Sequence, residues 1–223
     1  IASDTDRKTI NTAVRALPKF FEVADQVETA RDSSLWKFDG KNLAAYGMTE
    51  VMPTQKGKLN FHILDVLLRN AGENYINSIP ALGDKFLSKG FYQFTSYAIR
   101  HDNQRIEGAS IVNKYSNAPI GSSVVSLTNE EAHRAAFYFA LYNMSNLVKK
   151  LSILEMVTAK KCSTNEMTQF VATAHHLPAV AIKNAKQWIS NGCKKGYTYY
   201  AGPKLTQYAE KTESNLNALK EEL

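Results

Sequence analysis

No run of eighteen or more apolar residues occurs in this chain, the length a helix needs to cross a bilayer, and its longest apolar stretch, Ala135 to Leu141, suits a buried helix segment. Cysteine is scarce. Cys162 and Cys193 are the two present, neither lies in a Cys-x-x-Cys pair, and no His/Cys/Asp cluster has metal-ligand spacing. Zinc and dithiol redox chemistry therefore have little support, and neither a metal nor a cofactor is expected. Each cysteine stands beside lysines near the edge of a predicted helix, where the two could meet, so a disulfide and a pair of free thiols both remain open. Hairpin signals are missing too: Asp39-Gly40 lies between polar segments rather than between alternating strands. There are no internal repeats or low-complexity tracts. The opening Ile1-Ala2-Ser3-Asp4 lacks the basic character of a signal peptide, although a processed chain would begin the same way, and export stays undecided on these residues.

What is present reads as helix. The class is all-α. Asp4 to about Arg31 forms one or two helices broken near Pro18, with Ile10, Val14, Leu17, Phe20 and Phe21 as the apolar positions. Trp36 to Lys58, rich in Gly, Asn, Thr and Pro, reads as a long surface connection, which gives an N-terminal extension over 1–58 and a main domain over 59–223. Leu59 to about Ala71 has helical apolar spacing and is ended by Gly72. Thr128-Asn129-Glu130-Glu131 has the form of a capping box opening a helix to about Leu151, and Ser163-Thr164-Asn165-Glu166 repeats that form. Leu177-Pro178 then leads into a helix over Ala179 to Asn191, and Lys204 to Leu223 is the last.

The net charge of +6 and a pI of about 9.2 fit an anionic partner: nucleic acid, a membrane surface or the carboxylate-bearing cell wall. The lysines come as scattered pairs, Lys149-Lys150, Lys160-Lys161 and Lys194-Lys195, not as one stripe interleaved with aromatics, which argues against nucleic acid and equally fits a solvated surface.

Candidate chemistry begins at Glu73, which follows a helix end and, with Asp84, flanks the polar segment Asn74 to Pro80. A carboxyl at a helix end facing a groove can be held protonated by partial burial, as a general acid requires, although most such glutamates are simply solvated. Seventeen residues on stands Gly90-Phe91-Tyr92-Gln93-Phe94-Thr95-Ser96. Glu73-Asn74-Tyr75 followed by Gly90-Phe91-Tyr92-Gln93-Phe94 resembles the paired motifs of the lysozyme-like superfamily that holds goose-type lysozymes and soluble lytic transglycosylases. The resemblance runs from Leu59 to about Asn191.

That resemblance implies a lysozyme-like helical domain cleaving peptidoglycan between N-acetylmuramic acid and glucosamine, with Glu73 as acid/base. The family's later tyrosine has two competitors here, Tyr142 in Tyr142-Asn143-Met144-Ser145, which is preferred, and His175 in Ala174-His175-His176-Leu177-Pro178. By the same resemblance Gly90, Tyr92, Gln93, Phe94, Thr95, Asn143 and His175 would bind the glycan. Phe91-Tyr92 replaces the family's usual Leu-Met, which points to an altered pocket for the N-acetyl group. Thr95-Ser96 stands where goose-type lysozymes carry an aspartate, and Asp84 and Asp102 are only loose substitutes, so the pattern leans towards a 1,6-anhydro product. The expected protein is a monomer, secreted or periplasmic, with glycan strands as partner and no nucleic acid. The rival from another class is a non-catalytic module binding cell wall or protein on the same scaffold.

Overall fold

A computed structural model describes residues 4–16, 39–51, 61–71, 88–95 and 128–222. Helix accounts for 77% of the interpretable residues, which fixes the class as all-α. In chain order the elements are α1 (Asp4–Ala16), α2 (Gly40–Val51), α3 (Phe61–Arg69), β1 (Ser88–Lys89), β2 (Phe94–Thr95), α4 (Asn129–Val148), α5 (Ile153–Ala159), α6 (Thr164–His176), α7 (Pro178–Ser190), α8 (Tyr197–Tyr200) and α9 (Thr206–Glu222). Among the described residues no helix is long and apolar enough to cross a membrane.

The largest departure from the sequence reading is α2. Its residues were expected in a surface connection, yet Leu43, Ala44, Ala45, Tyr46 and Met48 are wholly buried. A helix enclosed on every side carries no amphipathic period, and Gly40, Gly47 and Thr49 disguise it further. Asp39 supplies the start signal, its Oδ1 accepting from the backbone N–H of Lys41 and Asn42 at 2.9 and 3.1 Å. Polar pairs fix how α2 sits on α6 and α9: Asn42 Nδ2 donates to Thr168 Oγ1 at 2.8 Å, and the Thr49 and Thr212 hydroxyls meet at 2.9 Å. Ile10 and Val14 of α1 join the same hydrophobic core as Leu216 and Leu219 of α9.

Both capping motifs at the start of α4 and α6 form caps. Thr128 and Glu131 make the full reciprocal box, whereas Ser163 caps alone, through the Asn165 N–H. A third box, Ser152 with Glu155, opens α5. At Leu177-Pro178 the residue before proline is forced out of the helical region (φ −135°, ψ 79°), which ends α6 at His176 and starts α7 with proline at its first turn.

The end of α7 brings the cysteines together. Gly192 (φ 77°) turns the chain, the Cys193 N–H bonds to Trp188 O at 3.0 Å and the Gly192 N–H to Ile189 O at 2.9 Å, and Cys193 forms a disulfide with Cys162. The bridge closes a loop with a sequence separation of 31. Such a loop is worth about 3 to 4 kcal/mol by chain entropy. Reduction, or Cys162→Ser with Cys193→Ser, is expected to lower the melting temperature by about 10 °C in a chain of this size; a melt unchanged by reductant would show that the bridge constrains nothing.

Candidate functional site

The Gly90-Phe91-Tyr92-Gln93-Phe94 motif is the tip of a small hairpin in which Ser88 pairs with Thr95 and Lys89 with Phe94. Its turn depends on two positive φ angles, 78° at Gly90 and 50° at Gln93. Gln93 Nε2 donates to Gly90 O at 2.8 Å, and the Phe91 N–H donates to Ala71 O at 2.8 Å, which ties the tip to the end of α3. The side chains of Phe91, Tyr92 and Phe94 point into the protein and are 1% exposed or less, so they serve the core rather than present a stacking face. Asn143, also expected at the glycan, is buried as well, with neither amide atom hydrogen-bonded.

Three helices close around this tip. From α2, Gly47 lies flat against Phe91, and the Tyr46 ring sits 5.5 Å from that of Tyr92. From α4, His133 fixes Tyr92: its Nδ1 lies 2.6 Å from the phenol oxygen and its Nε2 lies 2.9 Å from Leu68 O. A carbonyl can only accept, so Nε2 carries the proton and the phenol donates to Nδ1. From α6, the His175 ring lies 5.5 Å from Phe94 and bonds through Nδ1 to the Tyr46 hydroxyl. Burial holds the Tyr46 phenol well above its usual range, with Glu50 and Tyr92 adding to the shift, so Tyr46 is the donor. Burial lowers His175, against the pull of Glu50 and of hydrogen bonding to the backbone of Gln93 and Tyr92.

One helical turn after Tyr46 comes Glu50, whose Oε1 is 2.6 Å from His176 Nε2. The glutamate side chain is 6% exposed and the histidine 25%, so solvent reaches the pair from the histidine side. Tyr208 of α9 stacks on the His176 ring at 3.7 Å, and its phenol is raised by burial and by Glu50. The result is a carboxylate, two imidazoles and two phenols gathered where α2, α6 and α9 meet beside the motif turn. Tyr142 is half-buried and stacks on Phe139, which meets His175 edge-on at 5.7 Å; the two competitors for the tyrosine position thus flank one phenylalanine.

Glu73, Asp84 and Asp102 lie outside the described residues. Sequence reasoning missed Tyr46, Glu50, His133, His176 and Tyr208. A signal existed for the first pair: Tyr46 and Glu50 are four apart, one above the other on a helix, inside an apolar stretch where an unpartnered carboxylate is costly. Elsewhere, Glu166 is the described carboxylate raised by burial, with Glu213 adding to the shift and the Trp188 indole opposing it. It lines a polar cleft of about 180 Å³ near the start of α6, roughly 14 Å along that helix from the histidines. No group of three or more His, Cys, Asp or Glu suited to a metal ion occurs among the described residues.

Burial holds His133 at about 4, below the ordinary 6.5. The unfolded chain therefore takes up its proton first as the pH falls. The stability this neutral ring contributes is fully present above about pH 6.5 and is lost between there and pH 4, in total roughly 3 kcal/mol. Denaturant unfolding at pH 7.5 and pH 4 should differ in that direction, and the His133 ring signals should titrate near 4 by NMR; titration near 6.5 would contradict the burial.

No family model, curated protein or solved structure matches the chain.

Proposed function

We propose that this chain cleaves glycan strands of peptidoglycan on a lysozyme-like helical domain, with the Glu50–His176 pair as its acid/base centre. One observation carries the reading: a buried carboxylate bonded to a solvent-touched imidazole stands beside the Gly90–Phe94 turn, the segment that resembles the lysozyme and transglycosylase motif. Motif spacing nominates Glu73, which lies outside the described residues; Glu50 is the carboxylate that the described residues bring beside the turn.

In the acid step Glu50 carries its proton on Oε2, while Oε1 accepts from the His176 Nε2–H. With the proton on Glu50, the carboxyl protonates the glycosidic oxygen as positive charge develops at the sugar's anomeric carbon. The carboxylate so formed is stabilised by the His176 N–H in a weakly hydrated setting. It then takes a proton from the muramic 6-hydroxyl as that oxygen attacks, leaving a 1,6-anhydro end, or from water, leaving a reducing end. Thr95-Ser96 in place of an aspartate favours the first route. Tyr46 and His175 hold α2 and α6 against the turn, and Gln93, whose amide is used within the turn, positions the loop. Tyr142, which the resemblance prefers as the family's tyrosine, is half-buried behind Phe139. A disulfide accords with a secreted or periplasmic location.

Burial of Tyr92, Phe94 and Asn143 favours a second reading, a binding module in which the motif survives as core. Digestion of purified peptidoglycan, acetylated and de-N-acetylated, with mass spectrometry of the released muropeptides separates the two. Products ending in 1,6-anhydro-muramic acid are expected; binding to the sacculus without any released fragment would select the module.

A further inference from the structure

One of the lysine pairs, Lys149-Lys150, meets two further lysines in space. One face of α7 forms an open groove of about 900 Å³ with Pro178, Ala179 and Ile182 on its floor. Lys183 and Lys186 of α7 and Lys149 and Lys150 at the end of α4 line it, and none of its lining residues is acidic. At 1.5 Å per residue the face is about 20 Å long. Directly after Lys149-Lys150 the chain enters α5, a seven-residue helix that buries only Ala159. Its first two residues, Ile153 and Leu154, are 85% and 80% exposed, and Val157 is half exposed. The acid of this helix, Glu155, accepts from its own cap and from the Ser190 hydroxyl, which docks α5 on α7; its one negative charge stands against the four lysines of the groove.

We infer that this face docks on an anionic phospholipid surface, with Ile153 and Leu154 entering the acyl boundary and the four lysines meeting lipid phosphates. Charge complementarity selects an anionic partner. The position of the apolar residues selects lipid: they stand at the tip of a short helix outside the groove, where an acidic peptide lying in the groove would leave them in water. A bilayer interface takes protruding aliphatics without offering a matching shape. The inference does not depend on the activity proposed above.

The test is co-sedimentation of the full chain with vesicles of phosphatidylcholine alone and of phosphatidylcholine with phosphatidylglycerol, at two salt concentrations. Binding to the phosphatidylglycerol vesicles alone is expected, and it should weaken with salt. Ile153→Ser with Leu154→Ser, and separately Lys149→Gln with Lys150→Gln, should each weaken it about tenfold or more while the thermal melt stays unchanged, because all four side chains are exposed. No binding to phosphatidylglycerol vesicles at low salt overturns the inference. So does binding to polyglutamate that the serine variant leaves intact, which would indicate an acidic polymer, and so does self-association that the serine variant abolishes, which would indicate a second copy.

Discussion

Gly47→Ala is expected to destabilise the protein by about 2 to 3 kcal/mol, against the ordinary helix preference, which favours alanine by about 1 kcal/mol. The reason is the Phe91 ring. A Cβ at position 47 would fall 2.2 Å from Phe91 Cε1, 2.5 Å from Cδ1 and 2.7 Å from Cζ. That ring has no free space to enter, because it is fully buried and packs against Tyr92 at 4.9 Å and His133 at 6.2 Å. The strain must pass into the Gly90–Phe94 turn, so activity should fall with stability. Thermal and denaturant melts would read the loss, and Phe91→Leu in the same chain should recover part of it, a coupling of about 1 kcal/mol or more in a double-mutant cycle. A gain in stability from Gly47→Ala would mean that helix and turn are not in contact.

Glu50→Gln is expected to reduce glycan cleavage by a factor of about 10² to 10⁴, the span typical of losing a general acid. The change is small in shape. The amide oxygen can still accept from His176 Nε2, which sits 2.6 Å from Glu50 Oε1, and Tyr208 still stacks on the other side, so the melt should change little. The proton is what is removed. A variant that melted far lower would locate the fault in packing, so initial rates and melting temperature need to be measured on the same preparation.

The legible parts of this chain were those with local chemistry. Thr128 and Glu131, Leu177-Pro178 and the apolar spacing of Leu64, Leu67 and Leu68 announce their helices because caps, proline and amphipathic period act within a few residues. Ser152 and Glu155 carry the same capping-box signal for α5, but that helix is too short and exposed to show an apolar period beside it. The central helix α2 was illegible for the opposite reason: burial on all sides removes the period by which a helix is recognised. The site shared that fate. Gly90 to Phe94 could be found by motif, and His175 by its neighbours, but the two positive φ angles that turn Tyr92 and Phe94 inward are tertiary facts. Glu50 and His176, 126 residues apart, meet only because α2 and α6 pack together. Spacing along the chain points to Glu73, outside the described residues, and packing adds Glu50.

The central claim is that Glu50 donates the proton, and the most direct measurement compares Glu50→Gln and Glu73→Gln with the unaltered chain on one batch of peptidoglycan, following muropeptide release by mass spectrometry. The account predicts that release falls at least about 100-fold in Glu50→Gln and stays within about tenfold in Glu73→Gln. Full activity in Glu50→Gln, with or without loss in Glu73→Gln, would contradict it.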